Sequence, residues 1–323
     1  MKKLKTAIVN NPGSGMIEYV YSPEQLKILA EITDLMPGIY SLEDVRAGKL
    51  AETEALFSTW AIPPFEQADI DRMPKLQALF YAAGATDSFA RLFFARGIKV
   101  FSAWQANAIP VAEFCTAQII LGLKGYFRCV REQPSRDKFF GNHAGPGIYG
   151  DTVALIGAGA ISTRIKQMLE NYRINVIVVP SRKEKRTVSL EEAFSKAFVI
   201  SSHLPDRDDN VGVIDGRLFR SMRDGAVFIN TGRGRQINEA DLVTVMRERP
   251  DLTALLDVTC PEPPPLDSPL YHTPNILVSP HIAGSLNDEV HRMVDYMLDE
   301  YRRFVNGEQP LYEVSESMLL TSK

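Results

Sequence analysis

Three side chains that follow apolar, strand-like runs carry the chemistry of this sequence. They are Arg233 in Asn230-Thr-Gly-Arg-Gly, Glu262 in Thr259-Cys-Pro-Glu-Pro and His281 in Ser279-Pro-His-Ile-Ala-Gly. A guanidinium holds a planar carboxylate by paired hydrogen bonds. Imidazole exchanges a proton near neutral pH, and a carboxylate bonded to it favours the charged ring and orients it. The set suits hydride transfer to a 2-oxo acid, where a fixed cation grips carboxylate and carbonyl while an acid protonates the new alkoxide. Singly, each has an ordinary explanation: a proline-flanked glutamate belongs to loop surface, and a histidine after a strand is often a satisfied polar group. What favours chemistry is their occurrence in one chain with a nucleotide-type loop.

That loop is Asp151-Thr-Val-Ala-Leu-Ile-Gly157-Ala-Gly159-Ala-Ile-Ser162. An apolar run short enough for a strand buried on both faces enters a glycine turn, after which Ile165, Met168, Leu169 and Tyr172 recur at helical spacing. Backbone N–H groups and the dipole at such a helix start favour a phosphate. Ser162 stands where the G-x-G-x-x-G fingerprint has its last glycine. The next strand, Asn175–Val179, ends where NAD binders place a ribose-binding acid. Here that position is Pro180, 180 − 157 = 23 residues past the first glycine, followed by Ser181, Arg182 and Lys183. A carboxylate would repel a 2′-phosphate, whereas a hydroxyl and two cations attract one. NADP(H) is therefore expected over NAD(H), against the plainer reading of a solvated basic loop.

The elements that position these residues alternate strand and helix, which predicts α/β architecture with parallel sheets. Strands are expected at 6–10, 55–60, 78–81, 99–101, 152–156, 175–179, 198–202, 226–230, 254–258 and 276–279. Helices are expected at 23–34, 68–73, 89–96, 107–131, 217–222, 239–247 (capped by Asn238) and 287–305. Gln133 to Gly150 reads as a polar, glycine-rich loop.

Composition bounds the function. The 323 residues are 45% hydrophobic and 24% charged, which suits a globular chain of two domains, and the net charge of −4 argues against a nucleic-acid partner. Cys115, Cys129 and Cys260 lack metal-ligand spacing and suit a reducing compartment, so no metal is expected. The run Thr6–Val9 is too brief for a signal-peptide core, and no apolar stretch reads as long enough for a membrane span, so a cytoplasmic location is expected.

Gly-Ala-Gly-Ala-Ile-Ser, Asn230-Thr-Gly-Arg-Gly, Leu256-Asp257-Val-Thr-Cys-Pro-Glu262-Pro and Ser279-Pro-His-Ile-Ala-Gly together resemble the D-2-hydroxyacid dehydrogenase family. The family includes glyoxylate/hydroxypyruvate reductases and phosphoglycerate dehydrogenases. The resemblance runs from about Tyr81 to Gly284, and the spacings 262 − 233 = 29 and 281 − 262 = 19 also fit. It implies two Rossmann-like doubly wound parallel-sheet domains with the active site in the cleft between them. Residues 1–103 and 285–323 would form a discontinuous substrate domain, and 104–284 the dinucleotide-binding domain. It further implies catalytic Arg233, Glu262 and His281, with Asp257 supporting the acid–base pair. Substrate contacts would come from Trp60, Ser285 and the backbone N–H groups of Ala83 and Gly84. Cofactor contacts would come from Val111, Gly157, Gly159, Ala160, Ile161, Ser181, Arg182, Lys183, His203, Leu204, Pro205, Thr231, Gly232, Asp257 and Gly284. Homodimers are usual in the family.

The expected substrate is a small 2-oxo or 2-hydroxy acid of D stereochemistry, glyoxylate or hydroxypyruvate being favoured and a bulkier 2-oxo acid the alternative. Trp60 and Phe80 offer no cation for a substrate phosphate. A dinucleotide-binding sensor or corepressor with little turnover is a second class of function. A redox-sensitive Cys260, two residues from Glu262, would need an exposed thiolate.

Overall fold

Short apolar runs separated by helices build parallel sheets here because each helical crossover returns the chain to the same end of its sheet. A computed structural model describes residues 3–132 and 144–319. The chain forms two compact units, Met1–Asn107 with Ser285–Lys323, and Ala108–Gly284.

In the first unit, β1 (Lys5–Val9), β2 (Asp34–Tyr40), β3 (Ala55–Ser58), β4 (Ala78–Tyr81) and β5 (Lys99–Ser102) lie in the order β2-β1-β3-β4-β5, all parallel. Phe57, Phe80 and Phe101 on neighbouring strands stack with ring centroids 4.9 Å apart. Tyr301 and Phe304 of the helix His291–Asn306 close the stack edge-on. Phe80 is thus wholly buried in the core. The unit also gains its last edge from the far end of the sequence. Val314 N donates to Val100 O (2.8 Å) and Ser102 N to Tyr312 O (3.1 Å), laying residues 312–314 antiparallel along β5. The buried Glu300 carboxylate accepts from Leu311 N and Tyr312 N and fixes the approach to that strand.

Three expectations are corrected. The helix read over 23–34 stops at Ile32, and Asp34–Tyr40 is a strand. Pro37 and Gly38 interrupt its pattern, and a largely exposed edge strand shows no apolar alternation. The helix read over 107–131 is two, Trp104–Leu123 and Tyr126–Glu132, separated by Gly125 at φ +69°. The helix Trp104–Leu123 is, contrary to the sequence reading, long and apolar enough to cross a membrane by length and composition. In the structure Val111, Ala112, Cys115, Ile119 and Leu123 pack it into the core of the second unit. Of the loop read over 133–150, residues 133–143 lie outside the described residues.

The second unit contains β6 (Thr152–Ile156), β7 (Asn175–Val179), β8 (Val199–Ser202), β9 (Val227–Asn230), β10 (Thr253–Leu256) and β11 (Ile276–Val278), ordered β11-β10-β9-β8-β6-β7 and all parallel. Strand order reverses between β6 and β8, and ligands of doubly wound sheets bind beyond the carboxyl ends at such a switch point.

Candidate active site

The β6 turn is shaped by a close backbone approach. Gly157 has φ +116°, and a Cβ there would lie 2.6 Å from His203 O, so a side chain is excluded. The chain then passes Gly159, where a Cβ would meet nothing within 4 Å, into the helix Ala160–Leu169. That helix has no side-chain cap, and the N–H groups of Gly159, Ala160 and Ile161 make no hydrogen bond among the described residues. Free donors on an open glycine turn fit a dinucleotide's phosphates. Ser162 is 1% exposed and its hydroxyl has no partner among the described residues, so a side chain does fit where the fingerprint has glycine.

At the end of β7, Ser181 and Arg182 are half-buried and Lys183 is exposed. Sequence reasoning missed Arg186, which turns back to donate to Pro180 O (2.8 Å) and Ser181 O (2.9 Å) and braces the turn. Arg207, also missed, pairs with Asp209 and keeps one buried guanidinium nitrogen without a partner among the described residues.

His203, Leu204 and Pro205 follow β8. The His203 ring is buried, with Nε2 2.9 Å from Ser201 Oγ and Nδ1 3.1 Å from Thr231 Oγ1. Burial pulls its pKa down to about 3, so the ring is neutral and its polar atoms are used internally. Cys115 Sγ joins the same network at 3.3 Å from Thr231 Oγ1, and burial pushes its thiol up to about 12. Val111 is buried in the adjoining core.

The three chemical motifs follow neighbouring strands, β9, β10 and β11, so sheet order alone sets them side by side. Two buried amides shape the first loop. Asn230 accepts from Gly232 N and donates to Arg233 O, while Gln236 accepts from Arg233 N and donates to Leu204 O and Pro205 O. A Cβ on Gly234 would lie 2.0 Å from the Thr259 carbonyl carbon, so only glycine lets the first and second loops meet. Arg233 donates to Gly232 O (2.8 Å) and lies 3.9 Å from Asp206, with 45% of its side chain exposed and able to reach a ligand.

The second and third loops meet in one bond: His281 Nδ1 is 2.5 Å from Glu262 Oε1. Both side chains are exposed, and His281 holds φ +54°, uncommon for a residue with a Cβ. Asp257 explains how that conformation persists. Its buried carboxylate accepts from Ser279 Oγ (2.5 Å), Ile282 N (2.9 Å) and Ala283 N (2.9 Å), bracketing His281 on both sides. Asp257 thus holds the histidine's loop and makes no bond to the ring. Glu239, missed in the sequence, anchors the second loop by accepting from Cys260 N (2.7 Å). Gly284 closes the third loop, and the exposed Cys260 has no sulfur partner.

In the first unit, Thr59 Oγ1 donates to Ala82 O (2.7 Å), and Ser102 Oγ donates to Ala83 O and Gly84 O. These bonds turn the carbonyls of the Ala82–Gly84 loop inward. Ala83 N–H, expected to meet a substrate, instead donates to Tyr81 O (2.8 Å). The N–H groups of Gly84, Ala85 and Thr86 make no hydrogen bond among the described residues and form the free set of donors. Ser285 is buried, its N–H bound to Asn107 Oδ1 (3.0 Å) and its hydroxyl without a partner among the described residues.

A switch-point glycine turn together with an Arg loop and a bonded Glu–His pair defines a dinucleotide-dependent oxidoreductase type of fold and site. Residues 119–283 match the family described as D-isomer specific 2-hydroxyacid dehydrogenase, NAD binding domain, and the chain belongs to that family. A Bacillus subtilis (strain 168) protein provisionally named 2-hydroxyacid dehydrogenase YoaD is 32% identical over 208 residues, 59% of this chain and 59% of its own length. Glycerate dehydrogenase of Methylorubrum extorquens is 29% identical over 162 residues, 50% of this chain and 52% of its own. The chain therefore spans under two thirds of these relatives. The structure of Rhodotorula graminis D-mandelate dehydrogenase superposes with TM-score 0.78 at 17% identity, covering 98% of each chain, a likeness of fold.

Proposed function

We propose that this chain reduces small 2-oxo acids to D-2-hydroxy acids with NADPH in preference to NADH, glyoxylate or hydroxypyruvate being the favoured substrates. The observation that carries this reading is the 2.5 Å contact between His281 and Glu262, next to the loop of Arg233. A bound reduced nicotinamide would supply the hydride. With Nδ1 engaged by Glu262, Nε2 of the protonated ring is free to hand its proton to the oxygen of the reacting carbonyl. Glu262 balances the ring's charge while it waits, and Asp257 keeps the loop in place. Arg233 would hold the substrate's carboxylate and polarise its carbonyl. In the first unit the free N–H groups of Gly84 to Thr86 are suited to a carboxylate.

For the cofactor, Gly157, Gly159, Ala160 and Ile161 would take the phosphates, with Leu204, Pro205, Thr231 and Gly232 beside them. Ser181, Arg182 and Lys183 would take a 2′-phosphate, since no carboxylate occupies position 180. Each charge-assisted bond to that phosphate is worth about 1.5–3 kcal/mol, so the Michaelis constant for NADPH should lie at least about tenfold below that for NADH. Equal constants would reject the NADPH preference.

A further inference from the structure

The segments beyond the carboxyl ends of β1, β3, β4 and β5 are the loops Asn10–Gly15, Thr59–Pro64 and Ala82–Asp87, and Ala103–Asn107, which opens the helix Trp104–Leu123. They carry a single formal charge, the carboxylate of Asp87. One large residue among them, Trp60, has its backbone held by an unusual set of contacts. Trp60 is half-buried and packs against apolar clusters on both faces of the sheet. Its carbonyl accepts from Asn10 Nδ2 (2.9 Å), and Asn10 Oδ1 accepts in turn from Ser14 Oγ (2.8 Å). Asn10 is 1% exposed, and its own N–H donates to Tyr40 O (3.0 Å).

The residue after Trp60 shows what this tie achieves. Ala61 lies at φ +61°, a conformation disfavoured by a Cβ that persists only where neighbours over-determine it. Asn11 N donates to Ala61 O (3.0 Å), so consecutive residues of the β1 loop bind consecutive carbonyls of the β3 loop. Thr59, on the other side of Trp60, is bonded to Ala82 O and connects this loop to the one with the free Gly84, Ala85 and Thr86 amides.

We propose that Asn10, with Ser14, is a positioning residue for substrate selectivity. It fixes the backbone that carries Trp60, one residue past the Thr59–Ala82 tie to the loop of the Gly84–Thr86 amides, and the indole so held would admit a short uncharged substituent on a 2-oxo acid while shutting out branched, aromatic and phosphorylated ones. The inference rests on the 2-oxo acid reading above. A fixed indole has few rotamers to relieve a clash, so bulk is rejected sterically. A phosphate dianion beside the substrate's own carboxylate would find Asp87 and no cation in these loops to offset its desolvation.

Two measurements on the full chain test this. The first compares kcat/KM for glyoxylate and for 3-methyl-2-oxobutanoate. Trp60→Ala should raise the branched-to-small ratio by about tenfold or more, the usual worth of a few methylenes in a pocket. Asn10→Ala and Ser14→Ala should move the ratio the same way, and Asn10→Ala should add nothing in the Trp60→Ala background. An equal fall for both acids, or additive effects in the double variant, would overturn the proposal. The second needs no turnover. Trp60 and Trp104 are the chain's two tryptophans, so Trp104→Phe leaves Trp60 as the sole indole reporter. Asn10→Ala, or the milder Ser14→Ala should Asn10→Ala fail to fold, is expected to raise acrylamide quenching of Trp60. Unchanged quenching overturns the positioning role even where turnover is normal. Absence of turnover with any 2-oxo acid would instead overturn the activity reading, and the selectivity claim with it.

Discussion

His203 gives a pH dependence that can be worked out in advance. An exposed histidine titrates at 6.5, whereas burial holds this ring near 3. Below pH 6.5 the unfolded chain takes up a proton that the folded chain refuses, so stability from this group is complete above that pH and falls as pH drops towards 3. Between pH 7 and pH 5 the loss is about 2 kcal/mol, from 1.36 kcal/mol per unit over the interval below 6.5. That figure holds for any folded value well below 5. His203→Gln keeps a donor and an acceptor for Ser201 and Thr231 but cannot titrate. Urea unfolding of both proteins at both pH values isolates the term, because all other groups cancel in the difference. The variant should lose about 2 kcal/mol less than the native chain on acidification. An equal loss in both would mean that His203 charges in the folded state, refuting its assignment as a buried neutral link between the β8 and β9 loops.

Two further substitutions probe the loops themselves. Gly234→Ala places a methyl 2.0 Å from backbone of Thr259, which cannot give way as a flexible side chain would. A displacement of about 1 Å in the Arg233 loop should lower kcat by about a hundredfold, and steady-state kinetics close to native would show that the loops need not touch. Asp257→Asn removes an acceptor from the set that receives Ser279, Ile282 and Ala283, so kcat should fall by at least about tenfold with folding retained, checked by kinetics beside a thermal melt. Native turnover in that variant would remove Asp257 as the support of His281.

Much of this was legible because buried parallel strands leave short apolar runs whatever surrounds them. β4, β6 and β7 begin and end where the sequence places them, and Asn238 caps its helix by accepting from Asp241 N as read. β2 was hidden because an exposed edge strand with Pro37 and Gly38 has no pattern to show. The break at Gly125 was hidden because a lone glycine is tolerated in helices, and only its neighbour Gly145, whose backbone N would lie 2.5 Å from a Cβ, makes it obligatory. In the candidate site, motif spacing brought out Arg233, Glu262 and His281. Apart from Asp257, the residues that hold these loops and the turn after β7 did not show themselves. Asn230, Gln236, Glu239 and Arg186 act through bonds to backbone atoms, which impose no periodicity and no charge partner visible in sequence. Asn10 and Trp60 are fifty residues apart and meet only because β1 and β3 are neighbours. The Ala83 amide was misjudged for the same reason, since whether an N–H is free depends on the turn's geometry.

The central claim is that His281, held by Glu262, is the acid that completes reduction of a 2-oxo acid. Its most direct test is oxidation of NADPH by glyoxylate and hydroxypyruvate, catalysed by the native chain and by His281→Ala, with NADPH affinity measured separately by fluorescence. The native chain should turn over, and the variant should bind NADPH equally well while kcat falls by about 10²–10⁴-fold. Native turnover in the variant, or tight NADPH binding by the native chain with no turnover of any 2-oxo acid, would contradict it.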